Sequence, residues 1–332
     1  MGLDEPSRME GSPVHGIVLD EIDNMKEEVW AEHVRPALSD TNGWAMFIGV
    51  PEGRKQLYKY SRYSRTRPAW ANFTWKSAEI LPPEEIAQAK EDLDPLTFLQ
   101  EYEASFVTFE GRAYYCYDEN KHNVERLYYN HKLPLSFNFD FNVKPGTATV
   151  TQEQEYCGKN PDVSIVFTAV IGEVWIPQNS NTPAVCRKLA ESWGYHKGEV
   201  YIYGDSTGGN AGTAKVTGSD WDIVERMMRR CFGDRVNMCV KDGCPRERAR
   251  VNALNSRLMS TTGTISMLIC AKNCPHTAED LSAVVLLKGG SGEIDKKATP
   301  LHTHLSDGLG YQAEFEHPVS GDNRILVEEE VF

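Results

Sequence analysis

From residue 135 onward, short aromatic and β-branched runs alternate with helical patterns, and this alternation constrains the fold more than any other feature. Residues 135–143 put Ser136, Asn138, Asp140 and Asn142 on one face and Phe137, Phe139, Phe141 and Val143 on the other, the period of a strand. Further strands are predicted near 147–153 and 164–176, completing an antiparallel meander. A helix near 182–193 then leads to a strand over 199–203, a helix over 220–232 and a strand over 236–240. An amphipathic helix from about Pro245 to Met259, a segment at 264–270, a helix over 276–287 and a last helix opening at Ser306-Asp307 follow. This order predicts an α/β domain.

The preceding residues form a second body, which a chain of 332 residues has room for. Residues 16–21 read as a buried strand ending in Asp20 and Glu21, followed by a helical stretch through Met25, Val29, Trp30 and His33. Residues 44–50 read as another strand, and helices are expected from Pro82-Pro83 and from Asp94-Pro95. Residues 106–133 look irregular and are expected to join the domains.

Bulk properties exclude several classes. Mean hydropathy is −0.47 and no apolar run approaches membrane-spanning length, so no membrane association is expected. The start, MGLDEPSRMEGSP, lacks the basic and apolar regions of a secretory signal. Eight scattered cysteines suit a reducing cytosol. A net charge of −13 argues against indiscriminate nucleic-acid binding, though not against a DNA enzyme. Arg54, Lys55, Lys59, Arg62, Arg65, Arg67 and Lys76 lie between Glu52 and Glu79 without an intervening acid, interleaved with Tyr58, Tyr60, Tyr63, Trp70, Phe73 and Trp75. Such a stretch can hold phosphates and stack on bases, or be a solvated strand pair with half-buried aromatics.

Three aspartates stand at element ends: Asp140, Asp205 before Ser206-Thr207-Gly208-Gly209, and Asp307 at a helix start. Each has an ordinary reading, as an edge-strand acid, a turn former and an N-cap respectively. Together they suit one or two hard cations with oxygen ligands, which predicts metal-dependent phosphodiester cleavage. Neighbouring Asn142, Ser206, His302, His304, Asp295, Lys296 and Lys297 are candidates for supporting contacts or for loop roles alone. Cys239, Cys244, Cys270, Cys274 and His276 have imperfect zinc spacing. Arg246, Arg248, Arg250 and Arg257 read as a solvated helix face, and the tail after Pro318, ending in Glu328-Glu329-Glu330, as disordered or partner-docking.

The stretches FNFDFNVKPGTATV, YIYGDSTG with SDWDIV, PRERARVNALNSRL, and DKK leading into HTHLSDGLGY resemble the large terminase subunit of tailed bacteriophages over essentially all of 135–316. The resemblance implies a ribonuclease H-like mixed sheet flanked by helices over 126–332. Asp140, Asp205 and Asp307 would be its Mg²⁺ or Mn²⁺ ligands, with Asn142, Ser206, His304 and Lys296 around them. Residues 1–125 resemble part of the family's packaging ATPase with its linker: Ile17–Glu21 as a Walker B strand, with Asp20 and Glu21 in its acidic positions, and FIGVPEG as the coupling motif. The bridge is similar to PLTFLQEYEASFVTFEGRAYY, in which Glu101 and Glu103 are expected to be structural.

No Gly-x-x-x-x-Gly-Lys-Ser/Thr occurs, and GDSTGGNAGTAK has the wrong spacing. The upstream ATPase half is therefore expected to be absent or supplied by a separate chain, and ATP hydrolysis by this chain alone is not expected. The implied function is an endonuclease of low sequence specificity that cuts concatemeric double-stranded DNA in the host bacterial cytoplasm, with the portal and small terminase subunit as partners. A resolvase- or transposase-type enzyme of the same fold, or a packaging-motor remnant that binds without cutting, are the alternatives.

Overall fold

The computed structural model describes residues 13–52, 55–107, 109–141, 144–157, 164–206, 219–288, 290 and 292–319. The chain divides into two compact units: residues 1–88, 96–110 and 288–291 in the first, and 89–95, 111–287 and 292–332 in the second. Residues 111–125, expected in the linker, belong to the second unit, where the Ala113 amide donates to Val284 O at 2.8 Å.

In the first unit, β1 (Gly16–Leu19) pairs in parallel with β2 (Trp44–Phe47). A π-helical turn, Val29–Val34, runs into α1 (Arg35–Ser39), whose Pro36 sits in the first turn, where no amide donor is needed. Leu19, Ile22, Val29, Val34, Leu38 and Tyr60 form the buried core, with Trp30, Phe47, Tyr63 and Trp70 packed around it.

The basic-aromatic stretch is not a strand pair: α2 (Gln56–Ser61) continues into a 3-10 turn, Arg62–Arg65, and residues 66–76 follow without helix or strand. Its rings divide by environment. Trp70 stacks on Phe47 at 5.5 Å and on Tyr60 at 5.7 Å, whereas Phe73 and Trp75 stack on each other in solvent. Several of the cations are engaged locally: Arg67 lies 3.7 Å over the Tyr63 ring and Lys76 Nζ is 2.5 Å from Glu103. Arg54 lies outside the described residues. Helices α3 (Pro83–Asp92) and α4 (Pro95–Glu101) follow where expected.

The second unit is built on a seven-stranded mixed sheet in the order β3-β9-β6-β5-β4-β7-β8. Its strands are β3 (Asn123–Val124), β4 (Leu135–Asp140), β5 (Gly146–Cys157), β6 (Ser164–Ile176), β7 (Val200–Gly204), β8 (Val236–Met238) and β9 (Met267–Cys270). The predicted meander is present: β5 is antiparallel to both β4 and β6, while β7 runs parallel to β4, and β8 to β7. The remaining helices are α5 (Glu119–His122), α6 (Thr182–Trp193), α7 (Asp220–Phe232), α8 (Glu247–Leu258), α9 (Pro275–Ala283) and α10 (His304–Glu316). Residues 106–133 are thus less irregular than expected, holding β3 and α5.

Local chemistry starts some of these helices. Asn181 accepts from the Ala184 amide at 2.9 Å, and Ser219 and Asp222 form a reciprocal capping box on α7.

The alternation in β4 sorts its side chains onto two buried faces. Leu135, Phe137 and Phe139 join Val185, Leu189, Val224, Met228 and Phe232 of α6 and α7 in the main apolar core. On the opposite face Asn138 Nδ2 donates to Thr149 Oγ1 at 3.0 Å and to Gln312 Oε1 of α10 at 2.9 Å, and Thr151 Oγ1 donates to the same oxygen at 2.7 Å. This buried polar layer gives each of these four side chains a partner, though Asn138 Oδ1 has none among the described residues.

Helix α10 lies close against the β4 backbone at Gly308 and against α8 at Gly310. A methyl group at Gly308 would sit 3.1 Å from Asn138 O, and one at Gly310 3.3 Å from Arg250 Cβ. Gly308→Ala is therefore expected to lift α10 from β4 and cost about 1–3 kcal/mol, read as a lower urea midpoint. An unchanged midpoint would mean that this approach has slack.

Candidate functional site

The strand register brings two of the three aspartates together. Phe139 pairs with Gly204, so Asp140, the last residue of β4, and Asp205, just past β7, occupy the same ends of neighbouring parallel strands. Asp140 is the last residue of β4, which ends short of the residue 143 to which the sequence alternation extends. Trp221 Nε1 donates to Asp205 O at 2.8 Å, tying the end of β7 to α7.

Asp307 enters from α10, which packs on β4, β5, β7 and α8. The helix opens at His304, so Asp307 lies in its first turn and is not the N-cap. Its carboxylate is buried, with Oδ1 2.6 Å from an Arg250 guanidinium nitrogen; the two side chains are 8% and 6% exposed. Burial pushes the Asp307 carboxyl up to about 6; Arg250 and Lys296 oppose this, and the Asp140 charge adds to it. Mutual repulsion between Asp140 and Asp307 is the electrostatic mark of two acids sharing a site.

Cations and rings surround the acids. His304 Nδ1 is 2.9 Å from Asp140 Oδ2. Burial disfavours the imidazolium, but the Asp140 hydrogen bond and the charges of Asp140, Asp280 and Asp307 raise the His304 pKa overall. Lys296 Nζ lies 3.2 Å from Glu247 Oε2 and 4.0 Å from Asp307 Oδ2, and is 60% exposed. The Arg250 guanidinium lies 4.2 Å over the Tyr311 ring, and Asp205 and Asp307 both act on the Tyr311 hydroxyl, whose pKa burial raises.

Other sequence candidates fall elsewhere. His302 Nδ1 is 3.2 Å from Asp280 Oδ1, so the two histidines serve different carboxylates. Asp295 Oδ1 accepts from the Lys297 and Ala298 amides at 3.1 Å, an ordinary turn. Ser206 is described and half-buried beside Asp205, whereas Asn142 and the acidic tail lie outside the described residues. Cys270 and Cys274 are buried thiols whose sulfurs lie 3.7 Å from the carbonyls of Glu125 and Val170.

Arg250 was misread from the sequence. It lies on the buried face of α8 with Val251, Leu254 and Leu258, and only there does it meet Asp307. Asp280 and Tyr311 were also missed. No local pattern marks either, since their partners lie on other elements.

Three carboxylates converging on one point would form a donor set suited to a hard cation. Among the described residues, however, no group of three His, Cys, Asp or Glu side chains stands close enough to hold one ion. Arg250 and His304 instead compensate Asp307 and Asp140.

In the first unit, Asp20 and Glu21 follow β1 and are exposed. Glu21 adopts φ 52°, and its amide donates to Asp20 Oδ1 at 3.0 Å. Partial burial, then Asp20, Glu52 and Glu101, raise the Glu21 pKa.

No family model matches the chain. It is 27% identical over 128 residues to the terminase large subunit of Thermus phage G20c, covering 33% of this chain and 26% of that protein. Similarity to the terminase large subunit of Escherichia phage T5 is 29% over 113 residues, covering 32% and 26%. The matched stretch spans about a quarter of the length of these curated relatives. The solved large terminase of a thermophilic bacteriophage matches with a TM-score of 0.61 at 13% identity, covering 93% of this chain and 72% of that one. That likeness places the mixed α/β architecture among the large terminases.

Proposed function

We propose that this chain, a relative of the phage large terminase subunits, is a divalent-metal-dependent DNA endonuclease whose second unit is ribonuclease H-like. One observation carries the reading: Asp140 and Asp205 end adjacent parallel strands, and a helix packed on those strands brings a buried Asp307 whose charge the Asp140 charge opposes. Groups of like charge are costly to place together without a compensating cation.

Asp140, Asp205 and Asp307 would hold Mg²⁺ or Mn²⁺. A bound ion supplies Lewis-acid polarisation of a phosphodiester and acidifies a coordinated water. The protein's own groups do the rest. His304 orients the Asp140 carboxylate and offers a proton beside it. Lys296, more than half exposed, presents a positive charge near Asp307 to a phosphate oxygen. Arg250 favours the ionised form of Asp307 despite burial and holds its Oδ1, leaving Oδ2, 4.0 Å from Lys296 Nζ, as the oxygen that would join a ligand set.

The substrate is proposed to be concatemeric double-stranded DNA, cut with little sequence preference because contacts to phosphates position a duplex without reading it. The phage portal and the small terminase subunit are proposed partners, in the host cytoplasm. Among the described residues no helix is long and apolar enough to cross a membrane. Asp20 and Glu21 are proposed as the acidic end of a Walker B strand that needs a phosphate loop supplied from elsewhere for ATP hydrolysis.

Supercoiled plasmid incubated with the protein is expected to become nicked in Mn²⁺ or Mg²⁺ and to stay intact in EDTA. Absence of nicking in either metal would defeat this reading. Metal-independent DNA binding would then favour a packaging-motor remnant, for which the Arg250–Asp307 ion pair is the supporting observation. A preference for branched over linear duplexes would favour a resolvase-type enzyme.

A further inference from the structure

We infer that Asp280 is a positioning residue for this site: it caps the start of α10, supplied from α9, and it fixes the turn that carries His304 and Asp307. The inference rests on the reading of those residues as a metal-dependent nuclease site.

A helix start leaves its first amides without partners in the helix. Helix α10 has no cap of its own, because the side chain of Thr303, the residue before it, makes no capping hydrogen bond. Asp280 Oδ2 accepts instead from the amides of Thr303 at 3.2 Å, Leu305 at 2.9 Å and Ser306 at 3.3 Å. The other oxygen, Oδ1, faces His302 Nδ1 at 3.2 Å. The next amide, that of Asp307, donates to Thr303 O at 2.7 Å, so the orientation of the whole turn passes through these bonds.

Three features set this contact apart from ordinary capping. Asp280 is 0% exposed, and a carboxylate so deeply buried is costly unless its oxygens are fully used. The positive end of a helix and three amide donors offset that cost, which an apolar residue would avoid altogether. Thr303 is held at φ 132°, a region that side-chain-bearing residues rarely adopt, and its own amide is one of the three donors. Helix α9 is in turn anchored to the sheet in the same way: Glu173 of β6 accepts from the His276 amide at 3.0 Å, the Thr277 amide at 2.8 Å and the Thr277 hydroxyl at 2.7 Å. A half-buried carboxylate, Glu173, and a fully buried one, Asp280, therefore link β6 to α9 and α9 to α10, registering Asp307 against the sheet that carries the other acids.

The test uses the full chain with Asp280→Ala, Asp280→Asn and Asp280→Glu, assayed at a temperature where circular dichroism shows each folded. Nicking is followed with the Mn²⁺ concentration varied, and amide hydrogen exchange is followed at residues 305 and 306. Asp280→Ala is expected to slow nicking roughly ten- to a hundred-fold, the scale for a misplacement of about 1 Å, and to raise the Mn²⁺ needed for half-maximal rate. Asp280→Asn keeps an acceptor oxygen and is expected to stay within about three-fold of wild type, since a neutral cap still satisfies the amides. If Asp280→Ala does not fold, Asp280→Glu carries the test. It keeps the charge but moves the oxygens by one methylene, and is expected to slow nicking and raise the Mn²⁺ requirement.

A cap that is merely structural predicts a lower melting temperature with an unchanged rate and Mn²⁺ requirement per folded molecule, and that result overturns the inference. A wild-type protein that cuts nothing overturns the nuclease reading instead. In that case faster exchange confined to the first turn of α10 in Asp280→Ala supports Asp280 as the device holding Asp307 in place, and unchanged exchange overturns it.

Discussion

Asp140→Asn is expected to abolish the proposed Mn²⁺-dependent nicking of plasmid DNA, lowering it by roughly 10³-fold or more, the scale on which a catalytic unit fails when one member is removed. The change preserves shape and removes charge. Asp140 closes β4 with one oxygen on His304 Nδ1, and its charge already acts on buried Asp307. A carboxamide offers a hard cation one neutral oxygen where a carboxylate offers an anion with two, so the proposed ligand set would weaken. His304 also loses the group that favours its protonated form. The fold is expected to survive, because the packing of β4 resides in Leu135, Phe137 and Phe139. Circular dichroism and the urea midpoint should therefore match wild type while nicked plasmid fails to accumulate. Cleavage at the wild-type rate would remove Asp140 from the mechanism.

Arg250→Ala is expected to lower stability by about 3–5 kcal/mol, the cost of stranding one member of a buried ion pair. Asp307 would lose the group that most strongly offsets its burial, leaving Lys296 at 4.0 Å as a nearby cation. The stacking of the guanidinium over Tyr311 would go as well, worth about 0.5–2 kcal/mol. Urea unfolding monitored by tryptophan fluorescence measures the loss. Arg250→Met combined with Asp307→Leu is expected to recover most of it, since an apolar pair of similar volume carries no desolvation penalty. A loss below about 1 kcal/mol for Arg250→Ala would mean that Asp307 is neutralised by other means.

Much of the second unit was readable along the chain. The two-residue period of 135–140, the strands either side of 157–164 and the helix starts at Asn181 and Ser219 depend on neighbours in sequence. Asp140, Asp205 and Asp307 stood out because carboxylates beside apolar runs are costly to desolvate without a compensating charge. The basic-aromatic stretch was harder. Its spacing did not distinguish rings that face a core from rings that face solvent, and the structure buries Tyr60, turns Trp70 inward and exposes Trp75. Arg250 was assigned to solvent because arginine is seldom buried without a partner, and its partner lies 57 residues away.

The amino-acid order by itself determined most strands and helices of the second unit and set acids at or near their ends, because these depend on contacts within a few residues. The tertiary structure alone decided that Asp140 and Asp205 end neighbouring parallel strands, that Arg250 neutralises Asp307, and that Asp280 starts α10. Each joins residues on separate elements, Asp280 and Leu305 being 25 positions apart. The reason is energetic: burying a charge or an unpaired amide is tolerable only where another element delivers its complement, and no local periodicity records which element that will be.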